Sequence, residues 1–225
     1  CDDKKYIKFE ITKDNIEQGN AVIAVKDESG TIMWSWHIWV TNKNVYKTYT
    51  YGDYKFMPIA LGERETDQGT TCTFYQWGRK DPFNGTPSKM SSQIYYYSSI
   101  QNPGKFFLAA SGPPYYYNWF DGNSKDLWNV GNSVFDETTS TSTKTIYDPS
   151  PVGFKVPPPA AFTDIGLLTT NWQSISGQQG IKVPTTGDFW RAFGYLACED
   201  GSYTYVGTYG NYWSCGPNEY SSVRG

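Results

Sequence analysis

The side chains of this 225-residue chain that could do covalent or metal chemistry are few and scattered. His37 is the only histidine. It lies in an apolar stretch with no carboxylate or cysteine beside it, so it reads as a hydrogen-bonded core residue. A lone histidine also excludes multi-histidine metal centres. Four cysteines stand at positions 1, 72, 198 and 215. Those wide separations match no zinc pattern, which needs tight pairs. Cys72, Cys198 and Cys215 are open to two readings, one extracellular disulfide or buried thiols, and spacing does not choose. Glu63, Glu65 and Asp67 crowd one loop but lack the spaced oxygen ligands and glycine of a calcium loop. No Gly-x-Ser-x-Gly, His-Glu-x-x-His, phosphate-cradling loop or dinucleotide fingerprint occurs. The expectation is a protein with no enzymatic activity, no cofactor and no metal.

Aromatic side chains are what remains. They make up 18% of the chain, against six leucines, which disfavours a helix bundle and favours turn-rich antiparallel sheets. Tyrosine and tryptophan set among Ser, Gly and Asn are the composition of adaptable binding loops, and their rings stack on sugar faces. About two thirds of the rings are expected in the leucine-poor core, leaving loop rings as binding residues. The selected residues are Tyr96, Tyr116, Trp119, Tyr209, Tyr212 and Trp213, with Asn211 and Asn218 as hydrogen-bonding partners. The partner expected is a glycan or a host or bacterial surface protein. The net charge of −3 lacks the basic excess of a phosphate-binding surface, so nucleic acid is not expected. No apolar run approaches the ~18 residues of a membrane span, and no signal-peptide pattern opens the chain.

The elements that must hold these residues are short. Lys5 to Thr12 alternates apolar and polar side chains like a half-buried strand. Ala21–Val25 and Thr31–Val40 read as strands of a hairpin closed by Asp27 to Gly30, the second apolar on both faces like a central strand. Phe74 to Phe83 alternates aromatics with Gln76, Arg79, Lys80 and Asp81, with Gly78 and Asp81-Pro82 marking turns. Residues 84–145 form a long irregular stretch whose many rings argue against disorder. Phe154 to Val156 reads as a short strand. Two short helices are expected, Ala160 to Leu168 after three prolines and Asp188 to Leu196, capped by Thr185 or Thr186.

Residues 74–83, Phe-Tyr-Gln-Trp-Gly-Arg-Lys-Asp-Pro-Phe, resemble the signature of a Bacteroidetes surface family. This is the fimbrillin-associated, Fibrobacter-succinogenes-major-type domain of the C-type-lectin-like superfamily. Further stretches fit in the same order: Gly19 to Asp27, Gly30 to Thr41, Met57-Pro with Ala60-Leu-Gly, Ile100-Gln-Asn-Pro, Asp126-Leu-Trp, Tyr147 to Pro157 and Asn211 to Ser214. The resemblance implies an α+β, C-type-lectin-like fold of small antiparallel sheets with two short helices and long aromatic-rich loops. It divides the chain into an N-terminal strand or linker, residues 1–18, and an adhesin domain, residues 19–225. It implies a cell-surface adhesin of fimbrial tips or surface lipoproteins, extracellular or at the outer membrane. The alternatives are a structural pilus subunit or cap that joins other pilus subunits, and a retroelement-diversified ligand-binding protein varying over residues 203–222. Cys1 followed by Asp-Asp-Lys-Lys resembles the acylated start of a mature lipoprotein, the one expected link to a membrane, unless the sequence simply begins there. Two departures stand out. Relatives carry a cysteine where Ser150 sits, paired with one after a Val-Arg, and here Val223-Arg224 is followed by Gly225. Trp128-Asn129-Val130 is only a fragment of a calcium-lectin motif, so sugar would be held by stacking without calcium.

Overall fold

The computed structural model describes residues 7–64, 72–91, 95–109, 119–120, 126–131, 138–162, 172–175, 178–182 and 189–216. It shows small, mostly antiparallel sheets with few helices. β1 (Gly19–Lys26) and β2 (Ile32–Val40) form the longest hairpin, paired from Gly19 with Val40 to Val25 with Trp34. Its turn follows from Asp27, whose Oδ1 accepts from the Ser29 and Thr31 amides at 2.9 Å each. Gly30 supplies the left-handed backbone, at φ 86°, that closes the loop. Among the described residues β2 pairs only with β1, so it is half of a ribbon and not the central strand its two apolar faces suggest. Along one face Ser35, His37 and Trp39 bond inward, while Met33 at the turn end of that face and Trp36 on the other are exposed.

β3 (Tyr49–Tyr51) and β4 (Tyr54–Phe56) make a second hairpin. β5 (Thr73–Phe74) pairs with β6 (Phe83–Asn84), β7 (Ser88–Met90) runs parallel to β8 (Lys105–Phe107), and α1 (Tyr97–Gln101) lies between those two. β9 (Trp172–Ile175), β10 (Gln178–Lys182) and β11 (Phe189–Arg191) form a three-stranded sheet, and β12 (Tyr195–Leu196) pairs with β13 (Tyr203–Thr204). The core gathers Trp77, Phe107, Trp119, Phe120, Leu127, Trp128, Val156 and Cys215.

Three expected elements are corrected and a fourth is described only in part. Residues 7–12 join no ladder, and Ile7, Phe9 and Ile11 are exposed. The helix expected from Asp188 to Leu196 is β11 and β12. Gly194, at φ 69°, breaks any helix there, and the Phe189–Arg191 backbone bonds to β10 instead. Phe154 to Val156 carries no strand. Of the helix expected from Ala160 to Leu168, only a single 3₁₀ turn over Pro159–Phe162 is described, and the rest lies outside the described residues with Thr185 and Thr186. Among the described residues no disulfide forms; Cys72, Cys198 and Cys215 remain thiols.

Residues 75–82, between β5 and β6, organise the core without being a strand. Irregular buried backbone must still find hydrogen-bond partners. Trp213 Nε1 donates to Tyr75 O (2.9 Å), Trp119 Nε1 to Trp77 O (2.8 Å), Tyr96 Oη to Gly78 O (2.9 Å) and Trp128 Nε1 to Arg79 O (3.1 Å). Gln76 does the same with its amide, donating to Phe107 O at 2.7 Å and accepting from Phe107 N at 3.3 Å. At Gly78 (φ 80°) a Cβ would come within 2.4 Å of Leu127 Cδ1, so only glycine fits the turn.

Two buried cations complete this layer. Arg79 is 1% exposed and donates to Lys105 O, Asn102 O and Pro103 O, collecting the carbonyls that follow α1. Its guanidinium lies 4.6 Å from the Phe107 ring centre and 4.9 Å from that of Phe83. Burial brings its pKa down to about 10, so it stays charged at neutral pH. Lys80 Nζ bonds Asp81 at 2.7 Å and Ser35 O at 2.8 Å, over the Trp34 ring. The Ser35 hydroxyl donates to both Asp81 oxygens, which ties the β1–β2 hairpin to the core.

Candidate functional site

The chemistry-bearing residues are structurally satisfied. His37 Nε2 meets Asn20 Oδ1 at 2.8 Å and Nδ1 meets the Tyr75 hydroxyl at 3.2 Å, an arrangement a neutral ring completes with Nε2–H donating and Nδ1 accepting. Burial lowers its pKa to about 4, with Asp81 opposing. Glu63 is buried, accepts from Ala60 N at 2.9 Å and pairs with Arg191 Nε at 3.0 Å, so it is a core anchor. Among the described residues no group of three or more His, Cys, Asp or Glu side chains could hold a metal, and no helix is long and apolar enough to cross a membrane.

The residues selected from sequence as binding rings divide sharply. Trp119 is 4% exposed, stacked on Phe107 at 5.4 Å, with its indole N–H bonded to Trp77 O. Tyr96 packs on Tyr147, Trp119 and Phe120, and burial pushes its phenol pKa up. Trp213 lies against Trp128 and bonds Tyr75 O. Tyr212 packs, tilted by 55°, against Trp190 with ring centres 4.8 Å apart and donates to Arg191 O at 2.9 Å; burial raises its pKa too. These four rings belong to the core because their polar atoms satisfy buried carbonyls. Asn211 is half-buried, and its Nδ2 is shielded from solvent without a hydrogen-bond partner. Tyr116, Asn218 and Cys1 lie outside the described residues.

Tyr209 is the exception. It is 57% exposed and its ring packs edge-on against Tyr205, centres 4.7 Å apart. Tyr205 in turn lies 5.8 Å from Tyr195. Tyr205 and Tyr195 are themselves 53% and 39% exposed, so three rings form a continuous open cluster. Sequence reasoning missed Tyr195 by placing it on a helix, and missed Tyr205 although it belongs to the same alternating aromatic run as Tyr209.

Local backbone fixes this cluster. Tyr205 O accepts from the Thr208 and Tyr209 amides (3.0 and 3.1 Å) and from the Thr208 hydroxyl (3.0 Å). Gly194 N bonds Tyr209 O at 2.8 Å, and Gly207 N bonds Ala192 O at 2.8 Å, stapling both ends of the loop to the residues before β12. Gly194 must be glycine, since a Cβ there would stand 2.2 Å from Thr204 O. Tyr205 is the one described non-glycine residue with positive φ, at 55°. A left-handed tyrosine costs roughly 1–2 kcal/mol. Such strain persists where surrounding structure imposes it, and it clusters at ligand-binding sites.

Comparison of the chain with family models, curated proteins and solved structures finds no match.

Proposed function

We propose that this protein is a non-enzymatic cell-surface adhesin domain of C-type-lectin-like fold that binds glycans by aromatic stacking on Tyr195, Tyr205 and Tyr209. The observation that carries this reading is the cluster itself: three exposed rings in contact, held by a hydrogen-bonded loop that keeps Tyr205 in a strained backbone conformation. Rigid aromatic rings give large contact area at low entropy cost, which suits a site preorganised for a sugar face. The fimbrillin-associated resemblance of residues 74–83 supports surface localisation, with Cys1 as a lipid attachment point.

The test is a glycan array with the intact chain, run with and without calcium chelator. Selective binding that survives chelation and drops at least tenfold in Tyr195→Ala and Tyr209→Ala supports the reading. Binding abolished by chelation would sink the calcium-free stacking mechanism. A second reading, the structural pilus subunit, is favoured by one observation: Ile7 (49%), Phe9 (53%) and Ile11 (39%) alternate, exposed, along a segment without a ladder partner. Absence of glycan binding together with concentration-dependent self-association of the same sample would favour it.

A further inference from the structure

Resting on that reading of the tyrosine cluster, we infer that the site selects neutral glycans over anionic ones, because the hairpin that carries it presents two carboxylates, Glu199 and Asp200, at its tip. The hairpin is tight. Tyr195 pairs with Thr204 and Leu196 with Tyr203, then Ala197 N bonds Ser202 O at 2.8 Å and Gly201 N bonds Ala197 O at 2.7 Å. Glu199 and Asp200 therefore occupy the tip of the same two-stranded unit whose open end bears Tyr195 and Tyr205, four to six residues away along the chain. Both acids are exposed.

Asp200 is held ionised by the Ser202 hydroxyl first and then by the Ser202 amide, which meets its Oδ1 at 2.8 Å. The field of this tip reaches the site: the Tyr195 phenol is pushed above its ordinary pKa by desolvation first, then by Tyr205 and by Glu199. Two nearby cations do not reverse the sign. Lys89 acts on Asp200, and a Cβ on Gly201 would sit 3.2 Å from its Cε, which places it under the tip; Arg191 is paired with Glu63. Glu199 has no cationic partner among the described contacts. A carboxylate or sulfate on a sugar stacked against Tyr195 would meet like charges four and five residues along the same hairpin, at most roughly 13–17 Å away by chain reach, a separation that the Debye length exceeds only at low salt. Like charges at that range disfavour binding severalfold and do so less as salt rises.

The experiment compares oligosaccharide pairs that differ only by a terminal sialic acid, titrated against the whole chain at about 20 mM and about 500 mM salt. The asialo member is expected to bind about three- to tenfold more tightly at low salt, with the gap closing to within about twofold at high salt. Glu199→Gln with Asp200→Asn should narrow the low-salt gap in the same way. Equal binding of both members at low salt, or a gap that neither salt nor the double variant changes, overturns the charge selection while leaving the stacking site standing. No binding of either member overturns the glycan reading and this inference with it.

Discussion

Around residues 75–79, four rings place a polar atom on a buried carbonyl and give up their faces to neighbouring side chains. On the loop between β13 and Gly210, Tyr205 and Tyr209 keep their faces open, and backbone hydrogen bonds among Tyr205, Thr208, Tyr209 and Gly194 do the holding. The difference lies in how each segment satisfies its own backbone. Where irregular chain is buried, side chains must supply the donors that a sheet would supply, and indole N–H and phenol O–H groups reach while bringing apolar bulk with them. Where a tight turn satisfies itself, its side chains have no structural task. A tyrosine's availability to a ligand is thus set by the accounting of nearby carbonyls, and not by how aromatic the surrounding sequence is.

The largest test of this contrast is Trp119→Ala. It removes a ring stacked on Phe107 and strands the Trp77 carbonyl, so stability should fall by roughly 4 kcal/mol in urea denaturation. Tyr209→Ala, at 57% exposure, should stay within about 0.5 kcal/mol of the parent. Comparable losses in the two variants would erase the distinction between the regions.

The second test uses pH, because the buried layer contains a titrating group. The pKa of His37 in the fold, about 4, lies below its ordinary value of 6.5, so the unfolded chain takes up the proton first as the solution is acidified. The stabilisation from keeping the ring neutral is complete above pH 6.5 and is lost as pH falls toward 4. Linkage puts the whole window at on the order of 3 kcal/mol. The stability difference between the parent and His37→Gln should therefore shrink between pH 7 and pH 4.5, while carboxylate titrations common to both cancel. A difference that is flat across that range would mean that burial does not hold His37 neutral.

The sequence carried the β1–β2 hairpin almost to the residue, because Asp27 and Gly30 encode their turn locally and the flanking strands are long. It also carried the weight of residues 74–83 and the structural role of His37. It did not carry the assignment of individual rings. Trp119, Tyr96, Trp213 and Tyr209 all sit in polar, tyrosine-containing surroundings, and only three of them have a carbonyl of residues 75–79 within reach, from 18 to 138 positions away along the chain. Such pairings leave no local pattern. The helix expected over 188–196 failed for a related reason. Phe189, Ala192, Phe193 and Leu196 do recur at helical spacing, but Gly194 is required by the approach of Thr204 O, a contact that no window of the sequence contains.

The smallest effect is also the most specific, because it asks whether strain at Tyr205 belongs to the site. At φ 55° every residue with a Cβ carries the left-handed penalty and glycine does not. Tyr205→Ala removes the ring and keeps the strain. Tyr205→Gly removes the ring and relieves it, offset in part by the greater freedom of glycine in the unfolded chain. The glycine variant should therefore be more stable than the alanine variant by about 1 kcal/mol, and both should lose glycan binding equally. Calorimetric Tm values for the pair read the first expectation and the array reads the second. An alanine variant as stable as the glycine variant would mean that the loop does not hold residue 205 in a left-handed conformation. The tyrosine cluster would then be exposed but not preorganised by its backbone.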